Sequence, residues 1–291
     1  MKGMIINMSN VLEVSGLNKS YNGFALKDIG FSLQEDCITG FIGVNGAGKT
    51  TTIRTILSLA HKNAGSIKFF GKDVSLHERE VKDRIGVVLD SNSFYEHLTI
   101  NEMKSIVAPA YSRWDEKTFA EYMEKFNLNP KQKIKTLSKG MCVKFALALA
   151  LSHNADLLIM DEPTSGLDPL VRSQLLEIML DYMKQGGKSV FFSTHITSDL
   201  DKIADMLILI DKGEILFEKE KDILLESHRI VKGDINALDD TNRKLFLQLE
   251  TNAFGFSGIT NRHEDVLSAM PDVITERVTV EDIMLAYIGR D

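Results

Sequence analysis

Gly43-Val44-Asn45-Gly46-Ala47-Gly48-Lys49-Thr50 is the stretch on which the reading of this chain turns. It fits the pattern G-x-x-x-x-G-K-[ST], and it stands between an apolar strand-like run, Cys37–Ile42, and a segment of helical character. Glycines at such a turn free backbone N–H groups to point at an anion, and the positive end of the following helix favours the same charge. A phosphate chain suits this loop. Lys49 reaches the β and γ oxygens, and Thr50 offers its hydroxyl to a magnesium ion. Gly43, Asn45, Gly46, Ala47, Gly48 and Thr51 complete the expected nucleotide contacts. The competing reading, a tight glycine turn with a surface lysine, leaves the strand–loop–helix setting unexplained.

Working outward, the stretch Val11–Phe41 consists of short alternating or apolar runs broken at Asn22-Gly23 and Glu35-Asp36, which predicts antiparallel β-structure ahead of the loop. After the loop and its helix, Ser66–Phe70 and Ile85–Leu89 read as strands. From about Thr99 to Asn129 the pattern is helical: Thr99 and Glu102 have capping-box spacing, and Phe119, Tyr122, Met123 and Phe126 fall on one face. This predicts a helical insertion between strands, over about 91–140. A long apolar helix through Leu151, the strand Leu157–Met160, a helix from Leu170, and the strands Ser189–Phe192, Met206–Ile210 and Glu214–Phe217 follow. Strands alternating with helices imply a parallel, doubly wound core with its ligand at the carboxyl ends of the strands. The fold class is therefore α/β, a P-loop NTPase core with an antiparallel β-subdomain and a helical insertion. Residues 1–220 are expected to form that core unit, and 221–291 a small α+β C-terminal appendage ending in an amphipathic helix around Val280–Ile288.

Composition narrows the partners. The 291 residues are 44% hydrophobic and 26% charged, enough to bury a full core, and the formal net charge is −7. That is the wrong sign for a non-specific nucleic-acid surface, so no nucleic-acid partner is expected. Cys37 and Cys142 form no CxxC pattern and read as reduced thiols. No run approaches the ~18 apolar residues of a membrane span, so work at a membrane needs a separate anchor.

A second element of chemistry lies downstream. Leu157-Leu158-Ile159-Met160-Asp161-Glu162 is an apolar strand ending in two acids. Asp161 suits the magnesium shell, and Glu162 suits the polarising of a water for in-line attack on the γ-phosphate. Alone this is an ordinary acidic strand end; paired with the loop upstream it becomes the other half of a site.

The remaining series is Leu137-Ser138-Lys139-Gly140-Met141 before the acidic strand, Ser165-Gly166-Leu167-Asp168 after it, and Ser193-Thr194-His195 at the end of the next strand. In this order the motifs resemble the nucleotide-binding subunits of ATP-binding-cassette (ABC) transporters, bacterial export-type ATP-binding proteins among them. The resemblance runs from about Val11 to Glu220, and Asp161-Glu162-Pro163-Thr164-Ser165-Gly166-Leu167-Asp168-Pro169 is its most specific part. It implies an ATPase that drives transport through a separate membrane permease, with ATP and Mg2+ as cofactors. By the same resemblance Tyr21 stacks on adenine. Ser138 and Gly140 hold the γ-phosphate of a nucleotide bound mainly by another subunit, Asp168 links the two sites across the dimer, and His195 contacts the γ-phosphate and orients Glu162. Two composite sites follow, in a homodimer or in a heterodimer with a second ATP-binding subunit. The permease, docked on the insertion at about Phe94–Ile134, would hold the protein peripherally on the cytoplasmic, inner face of the cell membrane. The C-terminal segment resembles the tails of export-type cassettes, which points to efflux. The alternative is a soluble, non-transport cassette ATPase; such relatives carry two cassettes in one chain, a long coiled coil or zinc-binding cysteines.

Three positions depart from the family pattern. Asp90 stands where a glutamine is usual; it can ligate magnesium but adds negative charge beside Asp161 and Glu162. Lys139 and Met141 replace a glycine and a glutamine. Lys139 either adds a favourable charge near the partner's nucleotide or points to solvent.

Overall fold

The computed structural model describes residues 9–89 and 94–288. β1 (Asn10–Tyr21) and β2 (Phe24–Gln34) form an antiparallel hairpin turned at Asn22-Gly23, and β3 (Ile38–Ile42) leads to the glycine loop and α1 (Lys49–Ile56). β4 (Ala64–Phe69) and the short β5 (Lys72–Asp73) return to the hairpin, giving a four-stranded antiparallel sheet ordered β2-β1-β4-β5. α2 (Val74–Lys82) leads to β6 (Ile85–Val88), and the insertion then supplies α3 (Ile100–Val107) and α4 (Glu116–Lys125). The chain continues through α5 (Lys139–Leu151), β7 (Leu157–Asp161), α6 (Pro169–Met183), β8 (Ser189–Thr194), α7 (Thr197–Ile203), β9 (Met206–Asp211) and β10 (Glu214–Glu220). The second sheet has six strands in the order β10-β9-β3-β8-β7-β6, parallel throughout except for the antiparallel pair β10–β9.

The inner strands are apolar because both their faces are covered. Alternate side chains go to opposite clusters: Leu158 and Met160 of β7, Val190 and Phe192 of β8 and Leu207 and Leu209 of β9 enter the helical side. Leu157, Ile159, Phe191, Ile208 and Ile210 enter the side shared with the antiparallel sheet. There the rings of Phe31, Phe41 and Phe191 meet with centroids 5.3 to 5.9 Å apart, joining the two sheets. The insertion begins as its sequence predicts: Thr99 Oγ1 accepts from the Glu102 N–H at 3.2 Å, and Glu102 Oε2 accepts from the Thr99 N–H at 2.7 Å. Phe119, Met123 and Phe126 are buried in the helical-side cluster with Tyr122 packed against it, so the expected apolar face exists.

The last part comprises α8 (Lys221–Ser227), β11 (Arg229–Gly233), β12 (Gln248–Asn252), β13 (Gly255–Thr260), α9 (His263–Ala269), β14 (Ile274–Arg277) and α10 (Val280–Ile288). Its antiparallel sheet is ordered β12-β13-β11-β14 and has a small core of Val231, Phe256, Val266 and Met270. α10 turns back to the main body: Ile283 is buried in the same cluster as Leu200 and Ile203 of α7, and Tyr287 meets Phe217 edge-on at 5.1 Å.

Candidate active site

Adjacent parallel strands end on the same edge of a sheet, and here the register sets Ile42 opposite Thr194 and Asp161 opposite Ser193. The glycine loop after β3, the acids at the end of β7 and His195 after β8 are therefore spatial neighbours, although far apart in sequence. This is the carboxyl edge where the alternation of strands and helices places a ligand.

The loop is built around Gly48, the N-cap of α1, with φ +119° and no side-chain cap on the helix. A Cβ there would meet Leu26 and Phe24 at 2.9 Å, so both the conformation and the space require glycine. Lys49 is buried, and its Nζ donates to the Gly43 carbonyl at 2.7 Å and the Val44 carbonyl at 3.3 Å. The same ammonium pairs with Glu162 Oε1 at 3.2 Å. Asn45, Gly46 and Thr50 are exposed, Thr51 is half-buried, and Gly43 and Ala47 are buried.

Glu162 has φ +49°, a left-handed conformation that costs a residue with a Cβ about 1–2 kcal/mol. Such strain collects where the position of a side chain matters more than its comfort. The Glu162 N–H donates to Ser193 Oγ at 2.9 Å, and Oε2 meets His195 Nδ1 at 2.7 Å. An ionised carboxylate only accepts, so Nδ1 carries the proton in this contact. Asp161 is buried, and its Oδ1 accepts from Ser193 Oγ at 2.6 Å. Ser193 thus holds Asp161 and the Glu162 peptide together. Sequence reasoning did not single it out, and the signal for it, the in-register pair Asp161–Ser193, exists only once the strand order is known.

Tyr21 is the last residue of β1 and pairs with Phe24, the residue whose ring lies against Gly48. Its own ring is half exposed, with Lys19 Nζ 4.7 Å from the centroid. Ser138, Gly140 and Asp168 gather elsewhere, at the N-termini of α5 and α6. Ser138 is exposed and its Oγ accepts from the Met141 N–H at 3.2 Å. Gly140 faces Val171, and Asp168 Oδ1 accepts from the N–H groups of Leu170 and Val171 at 3.1 and 3.0 Å. Lys139 is half-buried and reaches the Gly166 turn, its Nζ 3.7 Å from where a Cβ would stand. Asp90, assigned above to the metal, lies outside the described residues. Beside β6, α3 and α5 opens a cavity of about 490 Å³ whose walls include Val87, Met103, Val107, Leu137, Val143 and Ala146. Among the described residues no helix is long and apolar enough to cross a membrane.

Comparison with known proteins follows the same lines. A family model described as ABC transporter matches residues 26–165. The bacitracin transport ATP-binding protein BcrA of Bacillus licheniformis is 32% identical over 225 residues, 76% of this chain and 74% of its own length. The lantibiotic transport ATP-binding protein SrtF of Streptococcus pyogenes is 32% identical over 215 residues, 73% of this chain and 92% of its own. A solved structure described as the ATP-binding subunit of an ABC transporter superposes with a TM-score of 0.67 at 27% identity, covering 74% of this chain and 92% of that one.

Proposed function

We propose, from the premise that this chain belongs to the ABC transporter family as an ATP-binding, ATP-hydrolysing subunit, that ATP is cleaved where Lys49, Glu162 and His195 meet. The observation that carries this reading is the chain of contacts from Lys49 Nζ through both carboxylate oxygens of Glu162 to His195 Nδ1. The loop Gly43–Thr51 surrounds the triphosphate, and Tyr21 stacks on adenine. A γ-phosphate competes with Glu162 and the loop carbonyls for the Lys49 ammonium. Glu162 released from Lys49 stays oriented by His195 and by its own strained backbone, and polarises the attacking water. Ser193 keeps Asp161 in place beside it.

The all-oxygen donor set of the Thr50 hydroxyl and the Asp161 carboxylate fits Mg2+, which is held by one or two carboxylates together with phosphates and water. When bound it neutralises charge on the β and γ oxygens. Asp90 would add a further oxygen at the price of more negative charge. Ser138 and Gly140 of a second ATP-binding subunit, identical or not, close over the γ-phosphate, with Asp168 at the contact between subunits.

A membrane permease is the further partner, seated on the insertion with an apolar segment in the cavity between α3, α5 and β6, and it holds the protein at the cytoplasmic face of the membrane. The direction proposed is efflux; BcrA and SrtF are named for the transport of bacitracin and of a lantibiotic. Val107→Asp should abolish co-purification with the permease and leave the ATP affinity of the isolated chain unchanged; intact co-purification would move the docking site elsewhere.

Glu162→Gln tests the site itself. The variant should bind ATP normally, lose about 10²- to 10⁴-fold in turnover, the range for removing a general base, and run as a dimer in size exclusion with ATP and Mg2+. Turnover within a few-fold of the unmodified protein would remove Glu162 from the role of base.

A further inference from the structure

His195 has to be aimed as well as present, and its aim is set by α7, which begins two residues later. One face of α7 lies on β3 so closely that Leu200 Cδ2 is 2.1 Å from where a Cβ on Gly40 would stand, so a side chain there would displace Leu200. α7 also packs against α10, where Thr197 Oγ1 donates to Glu281 Oε2 at 3.3 Å, and against α6, where the contact is an ion pair whose carboxylate is buried. Arg172 Nε donates to Asp199 Oδ1 at 2.6 Å, Arg172 Nη2 donates to Ser198 Oγ at 2.6 Å, and Asp199 is fully buried. Asp199 Oδ2 has no hydrogen-bond partner among the described residues.

A carboxylate in that position is an unfavourable way to glue two helices. Buried ion pairs generally do no better than apolar packing of the same volume, and their best-attested use is to fix a register. Apolar side chains would let α6 and α7 slide, whereas a guanidinium fork bound to Asp199 and Ser198 admits one alignment. The spacing makes that alignment relevant to the site. Arg172 lies one turn into the helix capped by Asp168, and Asp199 sits in the first turn of α7, which the chain enters directly from His195 and Ile196; His195 bonds Glu162.

We infer that Arg172 and Asp199 are positioning residues for hydrolysis: their ion pair locks α7 against α6 and thereby fixes the direction in which His195 meets Glu162. This rests on the placing of His195 and Glu162 at the γ-phosphate. The pair should act on turnover and not on ATP binding, because no atom of it touches the glycine loop.

The test uses the full chain. Because Arg172→Met alone strands a buried charge, the neutral double variant Arg172→Gln/Asp199→Asn is made, together with Arg172→Lys, which keeps the charge but loses the fork. Each is measured by single-turnover cleavage of labelled ATP and by nucleotide affinity, with and without His195→Ala. The neutral pair should lower the rate by about 10- to 100-fold, the range for a misplaced reacting group, at unchanged ATP affinity. Arg172→Lys should lie between it and the unmodified protein. Added to His195→Ala, either change should alter the rate less than about twofold, since the effect runs through a residue already removed. An undiminished rate in Arg172→Lys and in a folded neutral pair would overturn the inference, and so would the full loss persisting in the His195→Ala background. A His195→Ala variant that turns over normally would instead overturn the underlying placement of His195, which separates the two failures.

Discussion

Two helices begin at the chemistry proposed here and are finished in opposite ways. α1 starts at Gly48 with no side chain bonded to its first N–H groups, whereas α5 starts at Ser138, whose hydroxyl accepts from Met141 N. A helix leaves its first N–H groups without intrahelical partners, and these must be met by a cap, by water or by a ligand. On the proposed reading α1 keeps its donors for an anion, and Gly48 lies close against Leu26 and Phe24. α5 satisfies part of its own end at the exposed Ser138, which on the same reading meets its ligand only when another subunit arrives. The difference teaches that a binding terminus is recognised as much by the cap it lacks as by the charge nearby.

The comparison breaks most readily at α1. Lys49→Ala removes a cation that here makes two hydrogen bonds to loop carbonyls and an ion pair with Glu162. Hydrogen bonds to charged groups are each worth about 1.5–3 kcal/mol, so ATP affinity should fall by about 10²-fold, measured with a fluorescent nucleotide analogue. Unchanged affinity would mean that the α1 terminus is not the phosphate site.

Ser138→Ala sharpens the contrast with a smaller effect. The loss of an N-cap costs about 1 kcal/mol, visible as a lower unfolding midpoint in urea. Binding of ATP to the isolated chain should not change, while ATP-dependent dimerisation weakens. Weaker ATP binding in the monomer would show that α5 contacts the nucleotide of its own chain and would erase the distinction between the two termini.

How much of this was legible beforehand follows the same divide between local and tertiary facts. The loop, the acid pair, the capping box of Thr99 and Glu102 and the apolar face of Phe119, Met123 and Phe126 are local patterns, and the structure carries each of them. Ser193 was not singled out because its importance lies in standing opposite Asp161, a register between strands whose order the chain does not announce. The left-handed Glu162 escaped for a related reason: a glutamate rarely adopts φ +49°, and the bonds it makes there, to Ser193, Lys49 and His195, come from distant parts of the chain. The helix Val280–Ile288 was legible as amphipathic, but nothing in its spacing told that its apolar face would return to α7 as well as to the sheet beside it.

The other end of α5 extends the comparison to its weakest case. Just past Leu151, His153 is fully buried, stacked on Tyr111 at 3.7 Å, with Nδ1 3.2 Å from the Leu149 carbonyl and Nε2 3.2 Å from the Ile85 carbonyl. Both ring nitrogens therefore face acceptors, and the imidazole ties the end of α5 to β6. Burial pushes its pKa below the ordinary histidine value; the two carbonyls and Asp83 oppose this shift and Arg113 adds to it. The sign follows directly: the unfolded chain takes up a proton near pH ~6.5 while the folded one resists, so stability is complete above that pH and falls as the pH drops through it toward the depressed folded value. Burial depresses His228 in the C-terminal part in the same direction. Unfolding midpoints taken from about pH 7.5 to 5.5 should decline, and His153→Gln, which can still bond one carbonyl but cannot titrate, should flatten part of that decline while His228 supplies the rest. A slope identical in His153→Gln would mean that the proton does not discriminate at this helix end, and that α5 is closed by packing against Tyr111 alone.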